Sequence, residues 1–254
     1  MISVICVSND EKVLRTCLLA SLTKQNTAYE FINVENRDSR FSSAAKALNH
    51  GGKDAKGKYL MFVHQDITLL SDEVLMEAER MMDSLSNVGV AGVAGKADDS
   101  GVMSNITHGD PPTPAGTISV KRPEKVQTVD ECLVIVPRTV FESLKFDERV
   151  CDGWHLYTTD YSLDALKRGL DVYVLPLNVH HYPAGRLLYA NPLTGYYETL
   201  GRLLRKHKRD FRRIHTSMGS WSTRWPLSLQ LYAVRRRLRR TRAEAERQPT
   251  DTPR

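Results

Sequence analysis

The chain has 254 residues, a formal net charge of +6 and a hydrophobic fraction of 41%. That is enough apolar material for one large domain, or a domain with an appendage, and it excludes a chain too polar to build a core. Lys and Arg crowd the last fifth of the sequence while acidic residues are spread through the first part, so two functional zones are expected.

Cys6, Cys17, Cys132 and Cys151 are scattered with no CxxC pair, which argues against a zinc site or a disulfide framework and fits a reducing cytoplasm. Met1 runs directly into ISVICV with no basic region or small-residue cleavage site, and no apolar run is long enough to span a bilayer. The expectation is a cytoplasmic protein, soluble or peripheral at the inner membrane face.

Strand and helix signals alternate along the chain. Ile2 to Val7 is a β-branched apolar run closed by Ser8, Asn9 and Asp10, and Glu11 to Leu22 reads as an amphipathic helix. Glu30 to Val34 predicts a second strand, and Ser42 to Asn49 a helix stopped by Gly51 and Gly52. Lys58 to Val63 predicts a buried strand, Asp72 to Ser84 a helix and Gly89 to Val93 a short strand. Asp98 to Pro123 is rich in Gly, Pro, Thr and Ser and reads as a flexible lid, with Val126 to Val136 returning as a strand. Val140 to Leu144 and Tyr161 to Arg168 read as helices, and Val172 to Val179 as a strand running into His180 and His181. The alternation predicts an α/β fold with a mainly parallel sheet covered by helices, whose ligands sit beyond the carboxyl ends of the strands.

The run Lys58-Tyr-Leu-Met-Phe-Val-His-Gln-Asp66 carries most of the chemistry. An apolar strand ending in a carboxylate puts Asp66 at the mouth of the sheet, where a divalent cation bridging two phosphates needs an oxygen ligand. The alternative is that Asp66 caps a helix or turn starting at Thr68.

With Asn49 before it, Ala55-Lys-Gly-Lys-Tyr-Leu-Met-Phe-Val-His-Gln-Asp66 resembles the run N…A-x-G-x-x-[apolar]-x-F-[apolar]-D-x-D of family-two-like GT-A glycosyltransferases. His64 stands where the family has its first Asp. The resemblance implies a GT-A, Rossmann-like domain over residues 1–185 with a helical, basic extension over residues 186–254. It implies Asp66 as ligand to Mn²⁺ or Mg²⁺ holding the diphosphate of a nucleotide sugar, from which a sugar passes to a hydroxyl acceptor: a glycan, a lipid or a small molecule. His64, beside Gln65, contacts the donor ribose or the metal, or fills the pocket edge. Val7 and Ser8 fall on the nucleoside-binding loop, and Glu35 and Asn36 on the pair that reads the base edge, with Asn36 departing from the acidic pattern. Lys46 either approaches the phosphates or is a solvated helix lysine.

The segment from Phe146 to Asp160 resembles the family's acceptor side, with Gly153, Trp154 and His155 in its turn. Trp154 is a sugar-stacking platform or a core residue. An inverting transfer needs a carboxylate base, and Asp160 is the first candidate. Counted back from Gly169, however, the family's usual catalytic Asp falls on Thr158, so Asp160, Asp152 or Asp130 takes over, the transfer retains configuration, or the domain is degenerate and binds without efficient turnover. Asp160 also reads as a helix N-cap. His181-Tyr-Pro-Ala-Gly185 resembles the family's H-x-S-x-G run, whose His binds metal. The resemblance implies His181 as the ligand in preference to His180, which points to the other face if strand side chains alternate.

The C-terminal part resembles no family. Trp221, Trp225 and Leu227 to Val234 lead into Arg235-Arg-Arg-Leu-Arg-Arg-Thr-Arg242, a basic amphipathic stretch suited to an anionic membrane surface, a partner helix or RNA, or simply a solvated helix with a frayed tail. With no RRM, KH or zinc motif, nucleic acid is not expected as a partner.

Overall fold

Ile2–Ser8 is buried along nearly its whole length, as a strand covered on both faces must be. It pairs in parallel with Tyr29–Glu35 on one side and Tyr59–His64 on the other. A computed structural model, describing residues 1–182, 193–234 and 236, places these three at one end of a seven-stranded sheet. In spatial order the sheet runs Glu124–Lys125, Asp171–Val174, Val88–Gly92, Leu133–Pro137, Tyr59–His64, Ile2–Ser8 and Tyr29–Glu35. Leu133–Pro137 is antiparallel to both neighbours and Glu124–Lys125 is antiparallel to Asp171–Val174, so the sheet is mixed, with parallel pairs around the first strand and between Asp171–Val174 and Val88–Gly92.

Strand alternation sorts side chains onto two faces. Val4, Cys6, Met61 and Val63 point into one core with Leu14, Leu18, Leu75, Ala78 and Met82 from the helices on that side. Ile5, Leu60, Phe62 and Val134 point into the other, against Ala45, Leu48, Phe141 and Tyr161. Each of the larger apolar side chains buried there contributes about 1.5–3 kcal/mol relative to exposure. The helix expected to stop before Gly51 instead runs Ala44–Gly52. A Cβ on Gly51 would stand 2.7 Å from methyls of both Ile5 and Val34, so the glycine permits close helix–sheet packing rather than ending the helix.

Two predicted strands are split. Val126 to Val136 becomes Thr128–Val129, in a small sheet with Ala94–Lys96 and Met103–Ser104, and Leu133–Pro137 in the main sheet. Val172 to Val179 becomes Asp171–Val174 in the main sheet and Val179–His181 in a four-stranded sheet with Ile67–Leu69, Ile106–His108 and Thr113–Pro114. The predicted lid between residues 98 and 123 supplies strands to both small sheets and buries Ser104, Ile106 and Val120, so part of it is anchored.

The helix Leu193–His207 adds a third core: Leu200, Leu203 and Leu204 pack with Leu156 and Leu163 of the acceptor-side segment and with Ile214 and Trp221 of a terminal hairpin. Residues 227–234 are helical, and Leu227 and Leu231 lean on that core. Arg235 and residues 237–242 of the basic run, and Pro183, Ala184 and Gly185 of the histidine run, lie outside the described residues.

Candidate functional site

The carboxyl ends of the first three strands meet where the ligand-binding groups were expected. Val7 pairs with His64 and Ser8 with Glu35 across the sheet. Gln65 ties the loop after the first strand to the third: its Oε1 accepts from the Asn9 and Asp10 amides at 3.0 and 3.1 Å, and its Nε2 donates to Asn9 Oδ1 at 2.6 Å. Asp10 in turn caps the following helix by accepting from Val13 N at 3.1 Å.

Asp66 follows the strand Tyr59–His64 in a turn and precedes a strand, Ile67–Leu69, so no helix starts there for it to cap. That short strand pairs with Val179–His181, setting His181 opposite Ile67, and the Tyr182 amide donates to the Asp66 carbonyl at 2.8 Å. His181 therefore arrives by the second half of the split strand, not by continuation of the main sheet. Its Nε2 lies 3.3 Å from Asp66 Oδ2. His180 faces the other way and shares a 3.0 Å hydrogen bond between its Nδ1 and Thr107 Oγ1.

His64, Asp66 and His181 bring one ligand atom each to within 4.8 Å of one another. Tyr157 donates its hydroxyl to the Glu131 carbonyl at 3.3 Å and lies 3.1 Å from His64 Nε2. The Tyr157 hydroxyl thus stands between the Glu131 carbonyl and His64 Nε2 and orients the imidazole. Burial pushes the Asp66 carboxyl up, but the hydrogen bond from His181 and the charges of His64 and His181 outweigh it and hold the group below the ordinary carboxylate range. Burial opposes charge on His181, while the hydrogen bond to Asp66, its charge and that of Asp130 raise the imidazole above the usual histidine value. One carboxylate and two imidazoles fit Mn²⁺; Mg²⁺, which prefers oxygen ligands, fits them less well.

Several predicted donor contacts have other partners. Asn36 is buried, and its side chain closes a loop by accepting from Phe41 N at 2.7 Å and donating to Phe41 O at 3.2 Å. Asn49 joins its helix to the Phe146 segment through Phe146 N and O and Glu148 Oε1. Lys46 is exposed and bonds Ser42 Oγ at 3.1 Å. Glu35 is exposed at the strand end, 4.0 Å from Arg37, and the Ser8 hydroxyl donates to Asn33 Oδ1.

On the acceptor side the structure does not bring Asp160 to the site. It is fully buried, with Oδ1 2.7 Å from His207 Nε2 and Oδ2 2.7 Å from Lys206 Nζ, so it braces two helices and cannot meet an acceptor hydroxyl. Nor is it the N-cap of its helix, which begins at Tyr157 after Leu156. Asp152 is exposed and paired with Arg202. Asp130 accepts from Cys132 N at 3.2 Å, and its charge reaches His181. Thr158 is buried and donates to Val129 O at 3.0 Å. Gly153 accepts from Ala44 N, Trp154 is 44% exposed, and His155 Nδ1 lies 3.5 Å from Glu131 Oε1. Glu131 and Tyr157 are the site residues that sequence reasoning missed; the adjacency of Glu131 to Asp130 was the available signal.

The matrix of similarities agrees with this architecture. The model of a glycosyltransferase like family matches residues 3–185. A protein of Fuscovulum blasticum described as ATP synthase subunits region ORF 6 is 26% identical over 163 residues, covering 60% of this chain and 63% of that one. S. aureus TarS 1–349, solved with UDP, has a TM-score of 0.53 at 17% identity, over 80% of this chain and 64% of that chain. The mannosyltransferase PcManGT of Pyrobaculum calidifontis, solved with GDP-Man and Mn²⁺, has a TM-score of 0.58 at 13% identity, over 83% and 64%. GalNAc-T7, solved with UDP, GalNAc and Mn²⁺, gives 0.59 at 13% identity, over 82% and 47%. The chain thus spans less than two thirds of the length of each of these relatives. The structural likenesses show a GT-A fold, and the match over residues 3–185 shows that the chain belongs to the glycosyltransferase like family.

Proposed function

We propose that the chain is a metal-dependent glycosyltransferase that moves a sugar from a nucleotide diphosphate sugar to a hydroxyl acceptor. One observation carries the reading: His64, Asp66 and His181 converge beyond the carboxyl ends of the parallel strands, with ligand atoms within 4.8 Å of one another. UDP in TarS and GDP-Man with Mn²⁺ in PcManGT support a nucleoside diphosphate donor. Asp66 and His181 would hold the metal, with His64 as a third ligand, and a bound metal supplies charge neutralisation of the leaving diphosphate. The Ser8 to Asp10 loop, clipped by Gln65, receives the nucleoside beside Glu35, and the exposed Trp154 offers a stacking face to the acceptor. Residues 1–185 carry these groups, while the helix Leu193–His207 beyond them braces the acceptor-side helix through Lys206 and His207.

A second reading, a domain that binds nucleotide without efficient transfer, is favoured by the buried Thr158 and the sequestered Asp160. Release of UDP or GDP from UDP-GlcNAc and GDP-Man, measured with Mn²⁺ and with EDTA, tests the choice. Metal-dependent release supports transfer chemistry; metal-dependent binding with no release supports the second reading.

A further inference from the structure

Resting on the transferase reading, we propose that His155 is the base that deprotonates the acceptor hydroxyl, with Glu131 as its positioning residue. The position where the family has its usual catalytic carboxylate holds Thr158, buried and bonded to Val129 O, and the next carboxylate, Asp160, is sealed behind Lys206 and His207. Glu131 and His155 form a pair at the turn that leads into the helix carrying Thr158. Glu131 Oε1 lies 3.5 Å from His155 Nδ1, and Oε2 accepts from Leu156 N at 2.9 Å.

Leu156 is the left-handed residue of this turn, with φ 65°, a conformation that L side chains rarely adopt. Its amide is fixed by the same carboxylate that faces His155, so Glu131 holds both the strained turn and the imidazole. The dyad is joined to the metal-ligand cluster by two hydrogen bonds, from the Glu131 carbonyl to the Tyr157 hydroxyl and from there to His64 Nε2. His155 is partly open, its side chain 39% exposed beside the exposed Trp154, while Glu131 is 18% exposed. Among the described residues, Nε2 of His155 makes no hydrogen bond; Tyr196, from the helix packed alongside, presents its ring at 6.0 Å. The negative charge facing the imidazole comes from Glu131.

With Nδ1 turned toward the Glu131 carboxylate, the neutral imidazole offers Nε2 as acceptor. As the acceptor oxygen forms its bond to the anomeric carbon, its proton passes to Nε2; the bond from that carbon to the diphosphate oxygen breaks, and the diphosphate leaves with the electron pair.

The test uses the full chain with water as acceptor: release of nucleoside diphosphate from UDP-GlcNAc and GDP-Man in Mn²⁺, beside calorimetry of UDP and GDP. His155→Gln is expected to lower kcat by about a hundredfold or more while Mn²⁺-dependent nucleotide affinity stays within about twofold, which also reports an intact fold. Glu131→Gln keeps an acceptor for Leu156 N but removes the charge, so the acidic limb of the pH–rate profile moves to lower pH. Wild-type kcat in His155→Gln, or an unmoved acidic limb in Glu131→Gln, overturns the assignment. A wild-type chain that binds neither nucleotide in Mn²⁺ overturns the donor-site reading beneath it.

Discussion

His180 and His181 are adjacent in sequence but face opposite ways, because strand geometry turns one toward Thr107 and the other toward Asp66. His181→Ala is expected to weaken Mn²⁺ binding at least about tenfold, roughly 1.4 kcal/mol. His180→Ala loses only a hydrogen bond worth about 1 kcal/mol of stability. Metal titrations of the two variants check this, and a larger effect at His180 contradicts the strand register. Because Asp66 holds His181 above the ordinary histidine value, the metal must displace a proton, so Mn²⁺ affinity should decrease as pH falls. An apolar run ending in a carboxylate points to Asp66; alternation separates His180 from His181 without choosing between them, and the likeness to the H-x-S-x-G run makes the choice. Asp160 was misassigned for a physical reason: an Asp near a helix start looks the same whether it faces a cleft or a lysine returning from a helix 46 residues later.

The helix Leu193–His207 is tied to the helix Tyr157–Lys167 by a concentrated charge cluster. Lys206 Nζ lies 2.9, 2.7 and 2.6 Å from Asp147, Asp160 and Asp164. Burial pushes the Asp147 and Asp164 carboxyls up, but their contacts with Lys206 prevail and hold both below the ordinary range. Burial works against charge on Lys206 too, yet the carboxylates keep it well above the usual lysine value. Lys206→Met takes the shared cation from three carboxylates and leaves the buried Asp160 with His207 alone, which should cost up to about 3–5 kcal/mol, read by chemical denaturation. For the wild type the signs are fixed. The depressed carboxylates contribute stability that is present above their unfolded value of about 4 and lost as pH falls through their folded values. The raised lysine contributes stability that is lost as pH rises above about 10.5. A flat stability profile below pH 4 would contradict the pairing. Most elements were legible from alternating periodicity, but two strands were drawn too long. Pro176, which cannot donate to a ladder, marks where Asp171–Val174 ends, and that signal was present in the sequence. The antiparallel insertion of Leu133–Pro137 was not, since pairing direction depends on distant strands.

At the scale of the molecule, two surfaces are separable: the donor end of the sheet and the terminal helix. Trp225, Leu229 and Tyr232 are 65%, 56% and 66% exposed just before the basic run. No described helix is long and apolar enough to cross a membrane. The three exposed apolar side chains motivate the proposal that this helix docks on an anionic surface. Replacing all three residues with Ala should lower co-sedimentation with anionic vesicles several-fold at low salt and change the melting temperature little, because exposed side chains contribute within about 0.5 kcal/mol each. Unchanged sedimentation would contradict membrane docking. The central claim, that Asp66, His181 and His64 hold a metal that bridges a nucleoside diphosphate, is tested most directly by calorimetric titration of UDP and GDP into wild type and Asp66→Ala, each with Mn²⁺ and with EDTA. The expected result is at least about tenfold tighter binding with Mn²⁺ in the wild type and no metal dependence in Asp66→Ala; equal affinity with Mn²⁺ and with EDTA in the wild type would contradict it.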